Sequence, residues 1–271
     1  MTNILITGAG SGLGRALTLQ LADDDTHLIL LDISEQGLAH TTHLLRGSGA
    51  ASSQYVVDIA DAPSIESCLL KISETVETID WIVNCAGISL TSRAIDVTPV
   101  QWQRILAVNL LGVTTITTHF LPYMMKRRSG KIINIASMFG LLPAPSGIVY
   151  ATSKHALVGF TRTLMVELKD SGVDIHLVCP GFIHTDLFKN ATYVGVDKER
   201  ILPDTNTMMT SQEAAHQIVK GIERKRRWIV FPFYVRVLWW VEWLFPSLAS
   251  YIWRQQWDRF IEKSNSSTPA P

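Results

Sequence analysis

The stretch that most constrains this chain lies at its amino-terminal end. Ile4-Leu5-Ile6 is a short apolar run of the kind used by a strand buried on both faces. It leads into Thr7-Gly8-Ala9-Gly10-Ser11-Gly12-Leu13-Gly14, after which residues 15–22 carry apolar side chains at helical spacing. The order strand, glycine loop, helix gives the glycines a meaning they lack in isolation. Glycine lets the backbone approach a pyrophosphate, and a helix N-terminus offers unpaired N–H groups and a favourable dipole. A plain strand-to-helix turn is the alternative reading. The context predicts a dinucleotide cradle built from Gly8, Ser11, Gly12, Leu13 and Gly14.

The pattern then repeats. His27-Leu28-Ile29-Leu30-Leu31-Asp32 reads as a second strand ending in an acid. A carboxylate there accepts hydrogen bonds from ribose hydroxyls and repels a 2′-phosphate, so Asp32 favours NAD over NADP. Arg15 would soften that preference if it reached the ribose. Tyr55-Val56-Val57-Asp58, followed by Ile59, reads as a third strand. Residues 62–78 read as a helix with Ile65, Leu69, Ile72 and Val76 on one face. Residues 79–83 read as a fourth strand, running into Asn84-Cys85-Ala86-Gly87. Further strands are expected at 131–136, 175–179 and 228–231. Alternating strands and helices predict an α/β fold: a Rossmann-type doubly wound parallel sheet of about seven strands in a single domain. The 271 residues are ample for such a core. Ligands of such sheets sit at the carboxyl ends of the strands. The glycine loop, Asp32, Asp58, Ile59, Asn84, Ala86 and Gly87 all fall there. The expected organisation is a dinucleotide-binding catalytic domain over 1–232, an aromatic extension over 233–263 and a flexible tail over 264–271.

Tyr150-Ala151-Thr152-Ser153-Lys154 supplies the chemistry. Residues four apart share one face of a helix. A phenol normally ionises near pH ~10 and a Lys ammonium near ~10.4. An ammonium beside a phenol favours the phenolate, which makes the Tyr a usable acid/base near neutral pH. Ser137, at the end of the strand at 131–136, can hydrogen-bond a substrate carbonyl. Asn109 stands in a mostly apolar helical stretch.

Taken together, the Thr7-Gly8-x-x-x-Gly12-x-Gly14 loop, Asn84-Cys85-Ala86-Gly87, Asn109, Ser137 and Tyr150-x-x-x-Lys154 resemble the short-chain dehydrogenase/reductase family, in its compact single-domain subtype. Cys85 departs from the family pattern, where a second Asn is usual. The resemblance covers about residues 3 to 232. It implies catalytic roles for Asn109, Ser137, Tyr150 and Lys154, with Asn109 holding a relay water and Lys154 also binding the nicotinamide ribose. It implies that Pro180, Gly181, Ile183 and Thr185 fold over the nicotinamide. It implies a homodimer or homotetramer.

Composition excludes other classes. Lys plus Arg equals Asp plus Glu at 24 each, which argues against a nucleic-acid partner. Cys68, Cys85 and Cys179 show no metal-ligand spacing and suit a cytosolic, reducing setting. His176 and His184 read as structural, so no metal is expected. The amino terminus lacks the basic and long apolar regions of a signal peptide. Residues 186–209 lack periodicity and read as a lid lined by Leu187, Phe188, Tyr193, Met208 and Met209. Thr210-Ser211-Gln212-Glu213 reads as a capping box.

The carboxyl end is unusual. Six of the eight Trp fall between Trp228 and Trp257, close to the basic run Arg224-Lys225-Arg226-Arg227. Between Pro232 and Pro246, a helix of thirteen residues would span only about 20 Å against a hydrocarbon core near 30 Å, so crossing a bilayer is not expected. A helix-Pro-helix hairpin seated on a membrane surface through 233–260, or a protein-packing surface, fits better. The location expected is cytoplasmic, peripheral on a membrane. The expected activity is NAD(H)-dependent hydride transfer between nicotinamide and a bulky apolar alcohol or ketone, such as a steroid, retinoid or lipid. An NADPH-dependent 3-oxoacyl or sphingoid-type reductase is the enzymatic alternative. A nucleotide-binding membrane scaffold or sensor is the non-enzymatic one.

Overall fold

The computed structural model describes residues 1–196, 198 and 208–265. The first half contains β1 (Thr2–Thr7), α1 (Gly12–Gln20), β2 (Thr26–Asp32), α2 (Glu35–Leu44), β3 (Ala51–Val56), α3 (Ala62–Thr75), β4 (Trp81–Asn84) and β5 (Leu90–Ser92). Next come α4 (Pro99–Leu106), a π-helical turn (Ala107–Gly112), α5 (Val113–Arg127), β6 (Gly130–Ile135), α6 (Ile148–Glu167) and β7 (Val173–Pro180). The chain continues with β8 (Ile183–His184), α7 (Asp186–Lys189), β9 (Thr192–Val194), β10 (Met209–Thr210), α8 (Ser211–Glu223) and β11 (Trp228–Phe231). It ends in α9 (Phe233–Leu244) and α10 (Pro246–Asn265).

Seven strands form one parallel sheet in the order β11-β7-β6-β4-β1-β2-β3. The chain moves outward from β1 to β3, then crosses back to β4 on the other side of β1. The crevice at the carboxyl ends of β1 and β4 is therefore the switch point where open α/β sheets bind ligands. Side chains alternate between the two layers, as pleating requires. Leu5, Ile29 and Leu31 join the layer of α3, α5 and α6, whereas Ile4, Ile6, Leu28 and Leu30 pack under α1 and α8. The continuous helix over 99–127 is long and apolar enough by composition to cross a membrane. Here Ile105, Val108, Val113, Ile116, Phe120 and Met124 are buried against the rest of the fold.

Several boundaries differ from the sequence expectation. β3 runs from Ala51 to Val56, not 55–58, because an edge strand alternates partly covered and exposed residues and carries no apolar run. Val57 then leaves the sheet, held by its N–H on Asp32 O at 2.9 Å. α3 stops at Thr75, where Val76 turns extended. Residues 186–209 are not uniformly irregular: α7 follows Thr185, and β9 pairs with β5. Met209 pairs with Ile183, so the expected lid is tied at both ends. Its middle, at 197 and 199–207, and the side chain of Phe188 lie outside the described residues. The expected capping box is present, with Thr210 and Glu213 bonded reciprocally at the start of α8. α10 continues to Asn265, so the expected flexible tail begins within it, and 266–271 lie outside the described residues.

The aromatic carboxyl end forms two helices joined at Pro246. Val235, Ala249 and Phe260 anchor it in the fold. Trp228 stacks on Trp239 with centroids 5.3 Å apart, and the Arg162 guanidinium lies 5.7 Å from the Trp228 ring centroid. Arg236 Nε donates to Val230 O at 2.9 Å, and Trp253 Nε1 donates to Glu242 Oε2 at 2.7 Å. Both charges that interrupt α9 are thus turned to internal partners.

Beneath the crevice runs a buried polar chain. Asn84 Nδ2 donates to Thr117 Oγ1 at 3.1 Å and to Asn134 Oδ1 at 2.8 Å, and Asn134 Nδ2 donates to Thr161 Oγ1 at 2.9 Å. It ties β4 and β6 to α5 and α6. Asn134→Ala removes the central link and strands a buried amide, and should destabilise the chain by about 1–3 kcal/mol in urea unfolding. An unchanged midpoint would show that the network carries no stability.

Candidate active site

Construction of the site begins where β1 ends. The buried Thr7 Oγ1 accepts from both Cys85 N and Ala86 N at 3.0 Å, pinning the loop after β4 to the loop after β1. The two loops meet backbone to backbone. Gly8 has φ +70, and a Cβ on it would lie 2.9 Å from Ala86 Cα. A Cβ on Gly14 would lie 2.0 Å from Gly8 O. Larger residues cannot enter either position without moving main chain. Ser11, at the N-cap of α1, is extended and makes no side-chain cap bond. The first-turn N–H groups of Gly12, Leu13 and Gly14 therefore lack a side-chain cap at the crevice, as an anion-binding helix start requires.

Asp32 closes one end of the crevice. Its Oδ2 accepts from Gly10 N at 2.8 Å and its Oδ1 from Ser34 N at 2.9 Å, which orients the carboxylate. Arg15 does not extend freely toward it. Its Nη2 donates to Gly10 O and its Nε to Thr41 Oγ1 at 3.0 Å, between α1 and α2. Asp58 Oδ1 accepts from Ala60 N at 3.0 Å, and Arg104 Nη1 reaches its Oδ2 at 2.7 Å. Arg104 was not anticipated from sequence. It stands 46 residues away on α4, so no local spacing signals the pair.

At the other end, Ser137 follows β6 and Tyr150 lies in the first turn of α6. Both side chains line the same cavity. Ser137 Oγ also accepts from Phe139 N at 3.2 Å. Lys154, one turn beyond Tyr150, is buried, and its Nζ donates to Ile135 O at 2.9 Å. Burial pushes Tyr150 up to about 12, with the neighbouring Ser137 hydroxyl pulling the other way. Burial lowers Lys154 to about 8. The sequence expectation that Lys154 would depress Tyr150 is outweighed here by desolvation of the phenol, while the Lys154 ammonium is committed to a main-chain carbonyl. Burial also pushes the thiols of Cys85 and Cys179 up to about 12, so neither is a thiolate at neutral pH.

Asn109 sits in the π-helical turn, a feature that marks functional sites in many helices. Its Nδ2 donates to Ile88 O at 2.9 Å and to Ser153 Oγ at 3.0 Å, and its Oδ1 accepts from Ile88 N at 2.9 Å. Both ends of the amide are engaged, fixing the segment after Gly87 against α6. A Cβ on Gly87 would lie 3.4 Å from Asn109 Oδ1 and 3.5 Å from Lys154 Nζ.

One cavity of about 440 Å³ connects these groups. It is lined by Gly8, Ser11, Gly12, Leu13, Gly14, Asp32, Asp58 and Ile59 at one end. Ala86, Gly87, Ser137, Tyr150, Lys154, Pro180, Gly181, Ile183 and Thr185 line the rest. Of the residues assigned to catalysis or cofactor binding from sequence, only Asn84 and Asn109 stay behind the wall. Asn84 is turned into the buried chain under the sheet. Ile88, Met138, Phe139 and Phe182 add an apolar lining not anticipated from sequence, and Leu187 joins them as expected of the lid, whereas Tyr193, Met208 and Met209 are not among the lining residues. His176 Nδ1 lies 2.7 Å from Arg226 O, a structural contact midway along β7. Among the described residues no group of three or more His, Cys, Asp or Glu gathers to hold a metal.

Lys154 gives a pH prediction. Its folded pKa lies below its ordinary value of 10.5, so between about pH 8 and 10.5 the unfolded chain binds more protons than the folded one. Stability from this group therefore rises with pH across that window and is lost as pH falls through 8. Relative to Lys154→Met, the wild-type chain should gain up to about 3 kcal/mol from pH 8 to 10.5 in denaturant titrations. A parallel pH dependence in the two proteins would show that the ammonium is not desolvated.

The geometry agrees with comparisons to known proteins. Residues 2–193 match the family model for short chain dehydrogenases. The chain is 33% identical over 249 residues to estradiol 17-beta-dehydrogenase 11 of Rattus norvegicus, covering 90% of this chain and 80% of the relative. It is 34% identical over 183 residues to the 3-oxoacyl-[acyl-carrier-protein] reductase FabG of Thermotoga maritima, covering 68% and 74% respectively. In fold it is similar to a short-chain dehydrogenase from Sphingobium yanoikuyae solved with NADPH, at TM-score 0.79 and 23% identity, covering 92% of this chain and 96% of that one. The chain therefore belongs to the short-chain dehydrogenase/reductase family of oxidoreductases.

Proposed function

We propose that the chain is an NAD(H)-dependent dehydrogenase or reductase acting on a bulky apolar alcohol or ketone. The observation that carries this reading is that Ser137, Tyr150 and buried Lys154 line the same cavity as the glycine loop and Asp32. The uncapped start of α1 suits a pyrophosphate, Asp32 a ribose, and Asp58 and Ile59 the adenosine side. Ala86, Gly87, Pro180, Gly181, Ile183 and Thr185 border the nicotinamide, with Lys154 on its ribose. When bound, the nicotinamide supplies or accepts a hydride.

The protein's part is proton handling and orientation. Tyr150, protonated at neutral pH, gives its proton to the substrate oxygen during reduction. Ser137 donates to the same oxygen and fixes its direction. In oxidation Tyr150 must already be a phenolate to take the proton of the alcohol, and the Lys154 ammonium favours that form electrostatically. Asn109 holds the surrounding main chain in register, and a relay water at this turn completes the path from Lys154.

Asp32 supports NAD, since its oriented carboxylate repels a 2′-phosphate and Arg15 is held elsewhere. The similarity to FabG keeps an NADPH-dependent 3-oxoacyl or sphingoid-type reductase as the second reading. The similarity to estradiol 17-beta-dehydrogenase 11 and the apolar lining support a steroid-like or lipid-like substrate. Fluorescence titration should give NADH binding at least about tenfold tighter than NADPH, and the reverse order would promote the second reading. With a 17-ketosteroid as probe, Tyr150→Phe should lower kcat by about 10²–10⁴-fold while leaving NADH affinity unchanged. Retained turnover would overturn the assignment of Tyr150.

The reading divides the chain into a catalytic unit over 1–232 and an extension over 233–263 that seats a cytoplasmic enzyme on a membrane surface. Family membership supports a homodimer or homotetramer. The outward side of the extension exposes Phe233, Val237, Trp240, Trp243, Leu244 and Phe245. With Arg236 and Glu242 turned inward, this side is uncharged, as insertion among lipid headgroups requires. In flotation with phosphatidylcholine vesicles, the wild-type chain should rise with the lipid. The double variant Trp240→Ser, Trp243→Ser should lose about tenfold in bound fraction. Equal flotation of the two would reject the membrane seat, and wild-type self-association without flotation would assign this side to protein packing.

A further inference from the structure

The carboxyl-terminal extension reaches the rim of the active site through one side chain. β7 and β11 pair as far as Pro180 and Phe231, and Gly181 N then donates to Phe231 O at 2.7 Å. The segment leaving β7 therefore runs alongside the start of α9. There, in the first turn of α9, Tyr234 points back at it, with its Oη 3.4 Å from Phe182 N and accepting from it.

Gly181 shows how close this approach is. A Cβ on Gly181 would lie 2.5 Å from Tyr234 Oη and 2.9 Å from Pro232 Cδ. Its φ is not in the left-handed region, so the glycine answers to space and not to backbone conformation. Glycine at 181 makes room for the Tyr234 hydroxyl. On the other side, Phe182 meets Phe139 edge to face with ring centroids 5.8 Å apart. Phe139 N in turn donates to Ser137 Oγ. Gly181, Phe182, Phe139 and Ser137 all line the cavity. A continuous set of contacts thus runs from α9 through the Gly181–Phe182 main chain to Ser137.

We propose that Tyr234 is a positioning residue, holding the Gly181–Phe182 segment at the height that closes the nicotinamide end of the cavity. The inference rests on the reading of residues 180–185 as the segment over the nicotinamide. It makes the aromatic extension part of the active site's construction as well as a surface. Tyr234 touches neither substrate nor cofactor and acts through main chain.

The test is Tyr234→Phe in the full chain, which keeps the ring and removes only the hydroxyl. Titrations with NADH and with ADP-ribose, which lacks the nicotinamide, separate local from general effects. The expected result is NADH affinity weakened by about three- to tenfold, the scale of one hydrogen bond. ADP-ribose affinity and the thermal midpoint should stay at wild-type values. Trp240→Ser, an exposed change on the same helix, should leave both affinities unchanged. Unaltered NADH affinity in Tyr234→Phe would overturn the proposal. Equal losses for both ligands would also overturn it, since they would reveal a general structural role. Failure of the wild-type chain to bind NADH at all would overturn the nicotinamide reading and this inference with it, and the wild-type titration reports that separately.

Discussion

The structure depends on β1 being paired on both edges and buried on both faces. Because β1 lies between β2 and β4, the chain must reverse direction around it, and a crevice opens at its carboxyl end. Thr7 closes that strand and holds the loop after β4 with one hydroxyl. The glycine contacts at Gly8 and Gly14 then bring main chain against main chain. Given those contacts, the N-terminus of α1, the Asp32 carboxylate and the Ala86–Gly87 turn are forced to face one cavity. Each later feature of the site is added to this crossing.

The end of the cavity at Ser137, Tyr150 and Lys154 is built on a different principle, desolvation. Lys154 and Ser137 are taken out of water between the ends of β6 and β7 and the start of α6. Burial moves the phenol of Tyr150 and the ammonium of Lys154 in opposite directions, up to about 12 and down to about 8. The pair therefore rests as a protonated phenol and an ammonium that loses its proton more readily than usual, a state suited to giving a proton. Phenolate stabilisation, which four-residue spacing alone suggested, competes against that burial. The π-helical turn at Asn109 serves the same end, because it lets one amide grip both residue 88 and residue 153.

Much of this was legible in the sequence because it depends on local patterns. Apolar runs marked the central strands, glycine spacing marked the first turn, and Tyr150 and Lys154 share a helix face by periodicity. Thr210 and Glu213 announced the start of α8 by capping chemistry alone. The edge strand β3 was misplaced because a half-exposed strand has no apolar run to read. The Arg104–Asp58 pair, the Phe139–Phe182 contact and the approach of Tyr234 to Gly181 were invisible because each joins residues 43 to 53 positions apart.

The carboxyl-terminal aromatics draw the same boundary. Sequence alone indicated that a Trp-rich helical segment broken at Pro246 follows the last strand. It also determined the parallel α/β order and the identity of the Ser, Tyr and Lys set. Tertiary structure decided which aromatics serve the core: Trp228, Trp239 and Trp253 pack or bond internally, whereas Trp240 and Trp243 face outward. It also decided that Arg236 and Glu242 turn inward and that Tyr234 meets the loop after β7. The physical reason is range: helix and strand periodicity fix which face a residue shares with its near neighbours. What that face meets depends on how distant elements pack, and only the folded chain sets those contacts.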